Sequence, residues 1–425
     1  MSIRQLYLFA AVACGAGALA PAWAQAPAQS APLTLVQALT AARDNSDVAL
    51  ARHALDAARA DVLAADHAPA PVLSAKAASM DLQHGLGPGN VLTRKRIDKS
   101  IGIDWTWERG DKRALRTLAA QRQALAAQSD LQEMRTQQLQ AALAAYYDLL
   151  AAQEGLRETR EIERAMAELG RIAELRVQAG DLARQDAART RIEAERARAD
   201  SQLAELAEQQ AALALAQLTQ RGPGLAACAC DWPARIAGPA PGADLGAWAE
   251  ARADVQAALA RLQAAQAGLD NAMALRKADV TIGASYDHYP GTSNRLVELR
   301  AQIPLHWGYR FDGEIGRAQA ELSAAQEALD KTRRLALLDL QSLQQQAANA
   351  ALRASGFEDG ILPRARQVAQ SAELAYARGA ISLTDLLDAR RTLRATTLDA
   401  LAARATYAKA QGQWLLRTQP QQLLP

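Results

Sequence analysis

The chain has 425 residues, with 48 Lys and Arg against 46 Asp and Glu, and aromatic residues make up only 4% of it. Near balance of charge argues against a nucleic-acid partner, which selects a basic stripe. A composition led by Ala, Leu, Gln and Arg belongs to long helices with small interfacial residues rather than to an ordinary enzyme core.

Residues 1–24 have the form of a secretory signal peptide: Arg4, a short apolar run from Leu6 to Leu19, and the cleavage pattern Ala22-Trp23-Ala24. The mature chain would start near Gln25. Cys14, preceded by Ala11-Val12-Ala13, leaves a lipoprotein signal as the alternative. No later segment offers the roughly 20 apolar residues of a membrane-crossing helix.

The first repeat covers residues 25–220. Residues 34–66 carry apolar positions at helical spacing, and Pro69 and Pro71 end that helix. The period then changes. Residues 72–80 are a strand candidate, residues 84–90 form a Gly/Pro loop, and residues 100–107 alternate, with Ile101, Ile103, Trp105 and Trp107 on one face and Gly102, Asp104 and Thr106 on the other. From residue 111 to about 178 the helical period runs for roughly 100 Å at 1.5 Å per residue. A second helix returns to residue 220.

Residues 221–246 are a Gly/Pro-rich linker, and the order then repeats over residues 247–418, before a short tail, 419–425. Residues 248–277 read as a helix. Strands follow at about 279–287 and 295–303, turned at Pro290-Gly291, with Glu298, Arg300 and Gln302 on the polar face. Helices are expected over 312–354 and 361–378, with a break at 356–360, and over 383–417.

The tips of the two helical hairpins match. Gly180 is followed by Asp186 and Arg189, and Gly379 by Asp385, Asp388 and Arg390. Glycine ends a helix cheaply because it tolerates positive φ. The fold class is therefore mostly α with a small β part, a duplicated unit of helix, two strands and a long helical hairpin. Two strands per half give four, and four cannot close a sheet. Polar faces suited to a wet lumen, apolar faces suited to lipid, and Trp105, Trp107 and Trp307 at strand ends suit a barrel shared between chains, three of which supply twelve strands.

These residues resemble the outer-membrane factor family, the TolC-type efflux ducts, over nearly all of the mature chain. The resemblance rests on Ile361-Leu-Pro363-Arg-Ala365 followed by Tyr376, Gly379, Ser382 to Leu387 and Asp388-Ala-Arg-Arg-Thr-Leu393, and on Ala144-Ala-Tyr146-Tyr147-Asp-Leu-Leu150. Trp107-Glu108-Arg-Gly110-Asp-Lys112-Arg113, and Ile303-Pro304-Leu305 with Gly313-Glu314-Ile315 and Arg317-Ala318, are similar to the heavy-metal, CzcC-like branch. The resemblance implies a homotrimer whose twelve-stranded β-barrel sits in outer-membrane lipid and continues as a periplasmic α-helical barrel. It implies a periplasmic adaptor and an inner-membrane pump of the resistance-nodulation-division (RND) type as partners, no cofactor and no enzymatic activity. Divalent heavy-metal cations are the expected cargo, with drugs or other small organic compounds as the alternative.

The resemblance also marks Asp385 and Asp388 as a periplasmic constriction. Three residues apart, they share one helical face, and three chains would ring the tunnel with carboxylates. The bland alternative is that each aspartate merely favours a helix N-terminus. Asp186, Arg191 and Tyr376 correspond to tether residues of the closed tip, although Ile381 stands where the family carries a basic residue; ordinary surface charges are the alternative. Cys228-Ala-Cys230 reads as a linker thiol pair open to oxidation in the periplasm, in preference to a metal site, because two thiolates alone make a poor tetrahedral set. A periplasmic adaptor would carry one hairpin rather than two, and a coiled-coil scaffold would have no need of strands recurring in both halves.

Overall fold

The computed structural model describes residues 32–90, 97–239 and 244–424. The signal-peptide region and Cys14 lie outside them. No helix among the described residues is long and apolar enough to cross a membrane.

The expected helix over 34–66 is two helices, α1 (Leu35–Ala42) and α2 (Ser46–Ala65). Asn45 divides them. Its side-chain oxygen accepts the Val48 N–H at 3.1 Å and starts α2, while its amide donates to Gln138 at 2.8 Å. Asparagine competes with the backbone in this way, so it caps better than it continues a helix. The helix expected over 248–277 likewise divides, at Arg252, into α5 (Leu245–Ala251) and α6 (Ala253–Ala274). The buried Arg252 guanidinium joins Asp254 at 2.8 Å and Asp339 at 2.6 Å.

Strands β1 (Val72–Ala78), β2 (Asp98–Trp107), β3 (Val280–Tyr289) and β4 (Ser293–Gln302) form one antiparallel sheet in chain order. β1 stops before the expected residue 80 because Ser79 turns the chain at positive φ. The β2–β3 ladder joins the two halves, pairing Ile103 with Ala284 and Trp105 with Ile282. The polarity of the sheet is inverted relative to a soluble protein. Ile101, Ile103, Trp105, Ile282, Val297 and Leu299 are exposed, whereas Ser285 and Asp287 on the other face are buried.

Below the sheet stand α3 (Lys112–Ala179), about 100 Å long at 1.5 Å per residue, and α4 (Arg184–Thr219). In the second half stand α7 (Asp312–Ser355), α8 (Leu362–Ala377) and α9 (Leu383–Thr418). The break expected at 356–360 is instead a π-helical turn, Gly356–Ile361, and the helix runs on through it. Pro363 explains the difference. Proline lacks an N–H and its ring crowds the carbonyl four residues back, and a wider turn relieves both without ending the helix.

The main core lies where α1, α3, α4 and α9 meet the linker, around Leu39, Leu143, Tyr146, Leu149, Leu215 and Trp232. Small residues let the helices approach closely. A Cβ on Gly412 of α9 would fall 2.4 Å from Leu143 Cδ1 of α3. Glu133 and Arg417 close the end of this contact with two bonds, at 2.7 and 2.8 Å, nearly out of water.

Candidate functional site

The hairpin tips are built twice on one plan. Gly180 and Gly379 have φ of 84° and 72°, and each is followed by the same backward bond, Asp181 N–H to the Arg176 carbonyl and Ala380 N–H to the Ala375 carbonyl, both at 2.8 Å. This left-handed cap satisfies carbonyls that the helix end leaves unpaired. The offset between the glycines carries Asp186 onto Asp385, Ala183 onto Ser382, and Arg189 onto Asp388. The two tips therefore share a backbone and differ in charge.

Only the second tip has a side-chain cap. The Ser382 hydroxyl accepts the Asp385 N–H at 3.2 Å, and Asp385 Oδ2 accepts the Ser382 N–H at 3.1 Å and its hydroxyl at 2.7 Å. The Ser382 hydroxyl and N–H hold the Asp385 carboxyl below the usual aspartate range, so it stays ionised near neutral pH. Asp388, one turn on, is exposed and accepts from Arg391 at 3.2 Å. Arg391 reaches onward to Glu193 of α4 at 2.6 Å. The Arg391 guanidinium beside Glu193 keeps that carboxyl below its ordinary range, although partial burial works the other way. A second link, Arg394 to Asp200, ties the same two helices higher up.

The expected tether residues are placed differently from one another. Tyr376 sits under Arg176, whose guanidinium carbon lies 5.8 Å from the ring and whose Nη1 donates to the phenol oxygen at 3.4 Å. Arg191 pairs with Glu195 of its own helix, and Asp186 with Arg189 at 3.9 Å. Within one protomer neither Asp186 nor Arg191 meets Tyr376. The residues that join the hairpins near their tips, Arg176, Glu193, Asp200, Arg391 and Arg394, escaped the sequence reading. Their partners lie about 200 positions away, and only the side-by-side placement of the hairpins brings them together. Leu383, Leu386 and Leu387 support that placement by packing on Met166 and Ala197.

The linker is strapped to the helices at mid-height. Leu33 pairs with the linker through Leu33 N–H to the Ala226 carbonyl at 2.7 Å and Cys228 N–H to the Leu33 carbonyl at 3.0 Å. Tyr146, fully buried, donates to the Leu33 carbonyl at 3.0 Å and to Asp231. Burial, with the Asp231 carboxylate beside it, raises the Tyr146 hydroxyl well above the ordinary tyrosine range, and burial pushes Tyr147 up to about 12. Trp232 stacks on Tyr147 at 5.8 Å, and the Arg404 guanidinium carbon lies 4.8 Å from the centre of the Trp232 ring. Tyr407 does for the end of the linker what Tyr146 does for its start, accepting the Ala237 N–H at 2.9 Å and donating to the Arg235 carbonyl at 3.1 Å. Cys228 and Cys230 are joined as a disulfide.

Two long hairpins, an inside-out four-stranded sheet and a strapped linker coincide with what family comparison finds. The outer membrane efflux protein family matches residues 38–220 and 246–415. The chain belongs to this family. As an outer membrane efflux protein it is a transport duct of the Gram-negative outer membrane, reaching into the periplasm. It is 26% identical over 370 residues to the cobalt-zinc-cadmium resistance protein CzcC of Cupriavidus metallidurans, covering 85% of this chain and 84% of that one. The fold is also that of a membrane protein from Pseudomonas aeruginosa, with a TM-score of 0.75 at 20% identity, covering 90% and 89% of the two chains. The CmeC outer membrane channel of Campylobacter jejuni is similar, with a TM-score of 0.73 at 16% identity and coverage of 90% and 85%.

Proposed function

We propose that three copies of this outer membrane efflux protein form one passive exit duct, in which residues 25–220 and 247–418 are the two repeats of each chain. The sheet carries this reading. Its apolar face is exposed, its polar face is turned inward, and β1 and β4 have no strand neighbour on their outer edges among the described residues. Open edges with lipid-facing side chains are resolved by pairing β4 of one copy with β1 of the next, because hydrocarbon tolerates only closed sheets. The helical hairpins then continue the barrel as a tunnel toward the inner membrane.

The duct has no nucleotide motif and draws energy from a partner, an RND-type pump reached through a periplasmic adaptor. Divalent heavy-metal cations are its cargo. The likeness to the cobalt-zinc-cadmium resistance protein supports that choice, and so do the carboxylates at the narrow end. Asp385 and Asp388 from three copies place six acidic groups around one passage, which favours cations and rejects anions. In that trimer Asp186, Arg191 and Tyr376 tether neighbouring copies at the closed tip, exchanging the partners they hold within one copy, Arg189, Glu195 and Arg176. The test is genetic. Deleting the protein should sensitise cells to cadmium, zinc or cobalt, and restoring it should rescue them only when pump and adaptor are present. Rescue in a strain lacking the pump, or unchanged metal tolerance in the deletion, would count against the assignment.

A further inference from the structure

The Cys228–Cys230 pair has no part in the duct as described, and its surroundings are more organised than a linker requires. Ligand atoms of Cys228, Cys230 and Asp231 all lie within 4.8 Å of one another. Cys230 is exposed, so the group opens to solvent. We infer that, once reduced, Cys228, Cys230 and Asp231 form an acceptor site for a thiophilic divalent cation on the surface of the linker, separate from the tunnel carboxylates.

The case rests on what holds these residues in place. Cys228 is fixed by its backbone N–H, which donates to the Leu33 carbonyl at 3.0 Å and to the Tyr146 hydroxyl at 3.1 Å. Asp231 is fixed through Oδ2, which accepts the Leu35 N–H at 2.8 Å and the Tyr146 hydroxyl. Tyr146 itself belongs to the long helix α3 and is fully buried. None of these bonds involves a sulfur atom, so opening the disulfide leaves both ends of the segment where they are. A rigid second layer of this kind is what a metal site needs to keep its ligands aimed. Two thiolates alone make a poor site, but two thiolates, a carboxylate and one water complete the four positions that zinc or cadmium takes. Soft thiolates select such ions over magnesium or calcium.

The chemistry has two steps. A dithiol reductant, the class that keeps periplasmic thiols exchanging, gives two electrons to the Cys228–Cys230 bond. The S–S bond breaks, two thiols form, and the dithiol leaves as a disulfide. A divalent cation then displaces both thiol protons to solvent as two sulfur–metal bonds form. The oxidised pair has no thiolate and does not bind.

The test uses the full-length protein in detergent and cadmium alone as the probe. After reduction and removal of the reductant under argon, titration should give one cadmium per protomer with the ultraviolet band of cadmium–thiolate bonding. Oxidised protein and the Cys228→Ser/Cys230→Ser variant should give neither. Asp231→Asn, which keeps an acceptor for Leu35, should retain the band and bind at least about tenfold more weakly. Uptake by the reduced wild type no greater than by the double-serine variant would overturn the site. Equal uptake by the oxidised protein would do the same, because it would show that thiolates are not the ligands. Neither result depends on whether the duct carries metals, since no transport is measured.

Discussion

Asp104 of β2 and Arg300 of β4 meet at 2.6 Å across β3, on strands that are not hydrogen-bonded to each other. Gly283 lies between them in the ladder, paired with both. A Cβ at this position would stand 2.1 Å from Asp104 Oδ1 and 3.3 Å from the Arg300 guanidinium. The glycine is therefore a gap in the polar face through which an ion pair spans three strands.

Gly283→Val should break that pair and leave Asp104 without its arginine on the inward face, Arg300 keeping Glu298 at 3.6 Å. The yield of the three-chain species after crosslinking, if the proposed trimer forms, should fall sharply for Gly283→Val and recover in part when Asp104→Ala is added. No recovery would mean that the valine acts on the strand itself rather than on the ion pair.

Gly412→Ala probes the close approach of α9 to α3. The added methyl meets Leu143, and overpacking a tight contact costs about 1–3 kcal/mol. Adding Leu143→Ala should return part of the loss, read as a denaturation midpoint of the detergent-extracted protein. Strict additivity of the two losses would show that the side chains do not touch.

Tyr146→Phe removes the hydroxyl that accepts from Cys228 and donates to Leu33 and Asp231. The expected cost is about 1 kcal/mol, because each partner keeps a second hydrogen bond, Cys228 N–H with the Leu33 carbonyl and Asp231 with the Leu35 N–H. Limited proteolysis should cut the linker between residues 221 and 239 faster in the variant. An unchanged rate would remove Tyr146 from the strap.

The tip link between Glu193 and Arg391 should be sensitive to acid. The carboxyl of Glu193 is depressed in the folded protein, so its contribution is full above the ordinary glutamate value, about 4.3, and is lost as pH falls through the lower folded value. Spin labels on α4 and α9 near the tips should report a constant separation from neutral pH to about 5 and an increase only in stronger acid. Glu193→Gln should abolish the acid step. Its cost near neutrality is about 1 kcal/mol or less, since Arg391 is half exposed and solvent screens the pair. A separation that widens well above the glutamate range would assign the transition to another group.

Asp385→Ala/Asp388→Ala should leave assembly intact, lower cation preference and weaken block by trivalent cations in planar-bilayer recordings. Asp385 also completes the capping box at the start of α9 by accepting the Ser382 N–H, so some fraying of the first turn is expected as well. Fraying with unchanged selectivity and unchanged block would reduce both aspartates to helix-start residues.

The long helices and the strands were legible because period alone distinguishes them. Ile101 to Trp107 alternates, and the 68 residues of α3 contain no proline and only two glycines, Gly155 and Gly170, both inside the helical pattern. Gly180 and Gly379 were legible because each sits at a duplicated signal. Asn45 and Arg252 were missed as breaks, since both lie inside patterns that remain apolar at helical spacing on either side. The π-helical turn before Pro363 was read as a break for a related reason. Proline announces that a bond is lost but not how the helix absorbs the loss. The cross-hairpin ion pairs are the least legible part. Glu193 and Arg391 look like two more surface charges among many until the two hairpins lie side by side.

The central claim is that three chains share one outer-membrane barrel. It is tested most directly by extracting the full-length protein from outer membranes in mild detergent and measuring the mass of the protein in each particle. Three chains per particle, with a disulfide forming between cysteines placed on β4 and β1 only when the copies are adjacent, is the predicted result. A single chain in the soluble periplasmic fraction, or a membrane particle of one chain with both sheet edges free, would contradict it.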